Sequence, residues 1–406
     1  MAVSSSVRRT LRVLHRWPGL SLGLLFAVLA LSGSALVFYT EIDAALHPEV
    51  QPDPSLPPLA WDSHSWDVLQ TTALRHRPEP NGEWAFEVTG QGGPIPARYY
   101  PPTDHSGHAA EREMLWFSAD GSGILRSATW GEYLMSWLYE LHMHLLAGET
   151  GRQVVGWAGF ASLLLLLGGL ALWWPRGSWR KALAFKRRAA PIRRMRDLHK
   201  LAGLGSVFLL ILLVLSGALL ALPDIKEALF RSAIATPTAP PAVRSGAAIA
   251  AVGQSPTMGQ SPAMGQSPAV GQSPAVGQSL PLSQALAHAR EALPDARLAF
   301  VNLPVGGDAP IRVRVQVPGD PHRRFPSSYV YIDQYSGELL AVHDLRQGNA
   351  ANVLNSWIRP LHDGSIAGTM GRVLALLLGF VPPFLFVSGL LYWRTRRRSL
   401  AARSSS

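Results

Sequence analysis

His15 is followed by a glycine at +4 and by Ser-Gly at +17 and +18, which are Gly19, Ser32 and Gly33. His199 is followed at the same spacings by Gly203, Ser216 and Gly217. A longer pattern surrounds a second pair. From His142, Trp137 stands at −5, Gly151-Arg152 at +9 and +10, Gly159-Phe160 at +17 and +18, Gly169 at +27, Trp173 at +31 and Arg176 at +34. From His362 the same offsets reach Trp357, Gly371-Arg372, Gly379-Phe380, Gly389, Trp393 and Arg396. Imidazole binds metals and moves protons near neutral pH. The chain has no cysteine, so thiolate and iron–sulfur sites are excluded and a bound metal must rely on His, carboxylates or Met. Serine-based triads, Walker loops and HExxH patterns are absent.

Long apolar elements must position these histidines. Four stretches, 17–40, 153–175, 201–223 and 373–393, carry no charged residue. Each is long enough for a helix to cross a hydrocarbon core of about 30 Å. The net charge of +10 is unevenly spread: 1–16, 176–200 and 394–406 hold 19 of the 37 Lys and Arg. Basic residues are retained on the cytoplasmic side, so both termini and the middle loop are expected inside and the two long polar segments outside. The positive charge sits at span ends, which excludes nucleic acid as the partner it serves; the lipid bilayer takes that place. The first apolar run reads as a retained span, because it is longer than the core of a signal peptide and resembles the third.

The matched offsets make the chain two copies of span, outer domain, span. The organisation expected is a cytoplasmic N-terminus (1–16), a first span (17–40), an outer domain (41–141), and a short outer helix leading into the second span (142–175). A basic cytoplasmic loop (176–200), a third span (201–223) and a second outer segment (224–361) follow. That segment holds a Gly/Ser/Pro/Gln-rich tether of repeated GQSP (253–279) and a small domain (280–345). The fourth span with its lead-in (362–393) and a cytoplasmic tail (394–406) complete the chain. Each outer domain reads as one helix on an antiparallel sheet. In the second, 283–293 is a helix with Ser283 as N-cap, 311–317 a strand, and 329–342 strand, turn, strand. The first has a helix over 65–74, a strand over 83–90 and a strand–turn–strand over 113–127. The fold class is thus a membrane α-helical protein with four transmembrane helices in two repeats and two small α+β outer domains.

Orientation pairs the histidines. His15 and His199 both open spans that start inside, and His142 and His362 both precede spans that start outside. Two histidines at one depth on facing helices can supply both axial ligands of a haem iron, and two layers imply two haems b. The metal-ligating and cofactor-binding candidates are therefore His15, His199, His142 and His362. His144 is a weaker cofactor-binding candidate: it lies two residues from His142, on a helix points to the other side, and could replace His142 but not share its iron. Arg152 and Arg372 are candidates for a haem propionate or, equally, a lipid phosphate. Arg312 and Arg314 share a strand face that reads as solvated. Gly19, Gly33, Gly169, Gly203, Gly217 and Gly389 read as helix-packing positions. The run from His142 to Trp173 is longer than a bilayer needs, so 145–152 is expected to break it. The spans read as unbroken at mid-depth, which disfavours a transporter.

The segments LHRWPGL (14–20), LHMHLLAGETGR (141–152), GGLALWWPR (168–176), LHKLAGL (198–204), YIDQYSGELL (331–340) and LHDGSIAG (361–368) resemble those of the PepSY-associated transmembrane family. This family comprises iron-regulated inner-membrane proteins of bacteria and includes ferric-siderophore reductases. The resemblance implies PepSY-like domains on the periplasmic side and haem held between helices. It implies an oxidoreductase that passes electrons from a cytoplasmic or quinol donor to ferric siderophore, with His15, His142, His199 and His362 on the family's motif histidines. The alternative is a non-enzymatic anchored scaffold whose outer domains bind or inhibit a periplasmic protein.

Overall fold

The structure is a computed structural model that describes residues 5–79, 81–102, 112–175, 177–246 and 279–404. The GQSP tether, apart from Ser279, and Arg176 lie outside the described residues. In chain order the first half runs α1 (Ser5–Leu36), α2 (Tyr39–Leu46), α3 (Ser65–His76), β1 (Glu83–Glu87), β2 (Ile95–Tyr100), β3 (Glu113–Phe117), β4 (Ile124–Thr129), α4 (Leu134–His144) and α5 (Gly148–Trp173). After a short α6 (Trp179–Leu183), the second half runs α7 (Pro191–Ala221), α8 (Pro223–Ala233), α9 (Leu282–Ala292), β5 (Arg297–Pro304), β6 (Ile311–Gln316), β7 (Ser328–Ile332), β8 (Leu339–His343), α10 (Ala350–Asp363), α11 (Gly368–Leu378) and α12 (Val381–Ser404). These elements form two units. One comprises Met1–Ile42, Leu134–Ile234 and Trp357–Ser406, and the other Asp43–Tyr133 and Ala235–Ser356.

The first unit is a helix bundle. Among the described residues, four helical segments are long and apolar enough to cross a membrane: Ser6–Leu36, Gly148–Trp173, Pro191–Ala221 and Ser365–Arg398. They close a ring, α1 packing on α5 and α12, and α7 on the same two. Glycines permit the approach: a β-carbon on Gly159 would stand 3.0 Å from that of Ala218, and one on Gly23 would stand 2.9 Å from the Phe386 ring. α4 ends at His144, and α5 starts at Gly148 after Leu145 and Leu146 adopt positive φ of 48° and 58°.

The fourth span is not continuous, contrary to the unbroken spans expected. α11 stops at Leu378 and α12 resumes at Val381. Pro382 and Pro383 have no N–H to give the carbonyls one turn back, so the ladder cannot run through. Phe380 N–H bonds instead to Leu377 O at 3.2 Å, and the freed Leu376 carbonyl accepts from the Ser34 hydroxyl of α1 at 3.0 Å. The corresponding residues after Gly159-Phe160 include no proline, and α5 runs straight through.

The second unit is built on one antiparallel sheet of eight strands, in the order β4-β3-β2-β1-β5-β6-β7-β8. Each polar segment supplies a helix and four strands, and the two sets join where β1 pairs with β5, Phe86 opposite Val301. The sequence reading missed β2 and β5. β5 (RLAFVNLP) is buried at almost every position, as a strand covered on both faces must be, so it lacks the alternation that betrays β6. Trp66 and Leu69 of α3 and Leu282 and Leu286 of α9 bury against Trp84, Phe86, Val301 and Val313 of the sheet.

Ser283 is not the N-cap of its helix, which begins one residue earlier with Pro281 in the cap position. Its N–H and hydroxyl are instead taken by the carboxylate of Asp67 on α3, at 2.9 and 2.6 Å. Gln70 accepts from Leu282 N–H at 2.9 Å and donates to Leu280 O at 3.0 Å. A helix from one segment thereby caps the helix of the other.

Candidate functional site

Four histidines meet in two pairs inside the bundle. His15 of α1 and His199 of α7 have ring centres 6.4 Å apart, and all four rings of the two pairs are half-buried. Nδ1 of His15 lies 3.1 Å from the Leu165 carbonyl of α5. A carbonyl can only accept, so Nδ1 carries the proton and Nε2 keeps its lone pair. Nδ1 of His199 lies 2.9 Å from Oγ of Ser388 on α12, whose own hydroxyl reaches Leu385 O at 3.1 Å. The serine proton is spent on that carbonyl, so Oγ accepts from Nδ1–H and the tautomer is the same.

The second pair is closer. His142 of α4 and His362 of α10 have ring centres 6.1 Å apart. Nδ1 of His142 lies 2.9 Å from Leu29 O and 3.2 Å from Ser32 Oγ, both on α1. Nδ1 of His362 lies 2.9 Å from Leu213 O and 3.3 Å from Ser216 Oγ, both on α7. Leu29, Ser32 and Gly33 follow His15 at the offsets by which Leu213, Ser216 and Gly217 follow His199. α1 and α7 therefore carry one pair themselves and seat the other. Along α1, His15 and Leu29 are separated by fourteen residues, about 21 Å of helix rise.

A glycine lies against every one of these rings. A β-carbon on Gly33 would stand 2.7 Å from Cε1 of His142, and one on Gly217 would stand 2.6 Å from Cε1 of His362. For Gly169 against His15 the distance is 2.9 Å, and for Gly389 against His199 it is 3.5 Å. Four of the six glycines expected to pack helix on helix thus make room for imidazole. Gly19 and Gly203 do face neighbouring helices, through Leu165 and Leu385.

A family model described as the PepSY-associated TM region matches residues 12–396. The chain belongs to this family. No curated protein matches it. With four apolar helices of spanning length, this PepSY-associated protein is a multi-pass membrane protein, and the lipid bilayer is its environment.

The ring separations in both pairs of this PepSY-associated protein can be set against the geometry of a metal site. Two imidazoles on opposite sides of one metal, each nitrogen at about 2.0–2.1 Å, put their ring centres roughly 6 to 6.5 Å apart. The observed separations fall in that range. Among the described residues there is no group of three or more His, Asp or Glu able to hold a metal ion.

The other candidates lie elsewhere. His144 turns to Glu140, with Nδ1 2.7 Å from Oε2. Arg152 donates to Ala221 O at 2.8 Å and pairs with Glu149 at 2.7 Å. Arg372 donates to Val37 O at 2.6 and 3.1 Å and grips both oxygens of Glu41 at 2.6 and 2.8 Å. Arg312 reaches Glu83 at 3.3 Å and Arg314 the Phe325 carbonyl at 3.1 Å, so that strand face is engaged by protein groups. The sequence reading missed Leu29, Leu165, Leu213 and Ser388 as histidine partners. A backbone acceptor leaves no trace in residue type. The Ser-Gly pairs are visible in the sequence as a recurrent spacing, with only their glycines assigned a packing role.

Proposed function

We propose that this protein is a haem-b electron carrier of the bacterial inner membrane that reduces the ferric iron of siderophores on the periplasmic side. The observation that carries this reading is the state of the four imidazoles. They stand in two pairs with ring centres 6.4 and 6.1 Å apart, each Nδ1 committed to a carbonyl or hydroxyl and each Nε2 left with its lone pair. Histidine ligands in metal sites are held in just this way, through the ring nitrogen that the metal does not use. His15 and His199 would hold one haem toward the cytoplasm, and His142 and His362 the other toward the periplasm. A bis-histidine haem, when bound, supplies reversible one-electron chemistry.

The protein's own residues supply the rest. Leu29, Ser32, Leu213 and Ser216 orient the periplasmic-side rings, and Leu165 and Ser388 the cytoplasmic-side ones. The apolar helices around them, with Leu210, Val214, Ala218 and Leu378 buried, keep water from the path between the pairs. Equal hydrogen bonds at equal offsets support a two-repeat origin. The basic span ends support cytoplasmic termini and periplasmic outer segments, and the pairing of β1 with β5 is consistent with both segments lying on one side. A cytoplasmic or quinol donor provides one electron per Fe(III). The Fe(II) formed is held less tightly by the hard oxygen donors of a siderophore and is released.

Purified full-length protein from haem-replete cells tests this. A reducible bis-histidine spectrum with about two haems per chain by pyridine haemochrome is expected, and His199→Ala should lose about half. A colourless, haem-free preparation would overturn it and leave the membrane-anchored scaffold.

A further inference from the structure

Arg152 and Arg372 occupy equal positions after His142 and His362, and each reaches across to a helix of the other half. Arg152, on α5, donates to the Ala221 carbonyl at the last residue of α7. Arg372, on α11, donates through two nitrogens to the Val37 carbonyl just past the end of α1, and its guanidinium lies 4.4 Å from the Phe38 ring centre. The final carbonyls of a helix have no intrahelical partner and carry the negative end of its dipole, so a cation there both satisfies and attracts them. A carboxylate fixes each guanidinium from behind: Glu149 on the same helix as Arg152, and Glu41 of α2 for Arg372.

The gripped carbonyls lie one turn beyond the histidine seats. Ala221 is four residues past Gly217, against which His362 rests, and Val37 is four past Gly33, against which His142 rests. A span free to slide or fray at that end would carry Leu213, Ser216 and Gly217, or Leu29, Ser32 and Gly33, out of register with the ring. The glycine contacts leave no slack for such movement.

We propose that Arg152 and Arg372 are positioning residues, each clamping the end of the span that seats a histidine of the periplasmic-side pair: Arg152 for His362 through α7, Arg372 for His142 through α1. As far as it concerns haem, the proposal rests on the electron-carrier reading; the clamp itself does not. Each arginine acts on a helix of the opposite half, which separates this role from general stiffening of its own helix.

Two measurements on the full-length protein in detergent decide it. In amide hydrogen exchange, Arg372→Gln should speed exchange about ten-fold over the end of α1, residues 33–37, and leave residues 217–221 unchanged. Arg152→Gln should do the reverse. In the haem-loaded protein, each variant should alter the low-spin electron-paramagnetic signature and reduction potential of one haem and spare the other. Arg372→Lys should recover part of both effects, since lysine can still donate to Val37 O. Exchange unchanged at both ends, or raised equally at both by either variant, overturns the clamp. Altered exchange with both haem signatures native overturns the link to the histidines while leaving the electron-carrier reading intact. If the native protein takes up no haem, that reading fails and the exchange pattern alone decides the clamp.

Discussion

Gly33 and His142 touch so closely that a β-carbon on the glycine would stand 2.7 Å from the imidazole Cε1. Carbon atoms in contact prefer about 3.5–4.0 Å, so the ring or α1 would have to move by most of an ångström. Ser32, the residue before, holds the same ring at Nδ1. The helix thus places a hydrogen-bond acceptor and an open space side by side, and the histidine fills both.

Gly33→Ala and Gly217→Ala should therefore each cost about 1–3 kcal/mol of stability by overpacking. On the electron-carrier reading they should also sharply reduce the haem that His142 and His362 would hold, while sparing the other pair. Gly389→Ala, with 3.5 Å to His199, should be mild. Haem stoichiometry and melting temperature of the variants check this; equal losses from Gly33→Ala and Gly389→Ala would contradict it.

The His199 ring meets the Ser388 hydroxyl, with Nδ1 2.9 Å from Oγ, and the Leu385 carbonyl accepts from it as well. The equivalent position after His142 is Gly168. On the electron-carrier reading, Ser388→Ala should shift the reduction potential of the haem that His15 and His199 would hold and weaken its retention by on the order of ten-fold, as lost outer partners of ligating histidines do. The other haem should keep its potential in a redox titration.

Acid should act through Glu87, buried on β1 between Arg98 at 3.0 Å and Arg324 at 2.6 Å. Burial alone would raise its pKa, but the two guanidinium groups outweigh burial and hold it below the usual carboxylate value. The folded chain then binds fewer protons at this group than the unfolded chain. Its contribution is complete above the unfolded value of about 4.3 and is lost as pH falls through the folded one. Glu87→Gln should cost about 3 kcal/mol, since it strands two partly buried cations, and should flatten the stability profile below about pH 5. Thermal unfolding across pH reads both.

Removing the carboxylate that caps α9 from α3 should loosen the join between the two sheet halves. Asp67→Ala should cost about 1–2 kcal/mol, the usual loss for a helix cap. Tryptophan fluorescence of Trp66 and Trp84 in a urea melt would register it, and a midpoint equal to the native one would show that the cap carries no stability.

Much of this protein is determined by the sequence alone. The charge-free runs require four membrane helices, because no other arrangement hides that much apolar surface or places the Lys and Arg at its edges. The matched spacings of His15 with His199 and of His142 with His362 already pair the imidazoles, since equal offsets on spans of equal direction mean equal depth. The alternation of β6 announces its strand. Tertiary structure decided the rest. β5 is buried on both faces and pairs with β1 across some two hundred residues, so no local pattern marks it or the union of two sheets into one. At the break in the fourth span, Ser34 of the first span satisfies the Leu376 carbonyl that Phe380 N–H leaves when it turns to Leu377 O. The glycines could have packed helix on helix or ring on helix, and residue type is the same in either case. Only the assembled bundle brings the carbonyls of Leu29, Leu165 and Leu213 to the rings, because a backbone acceptor is present at every position and becomes specific only by where the fold delivers it.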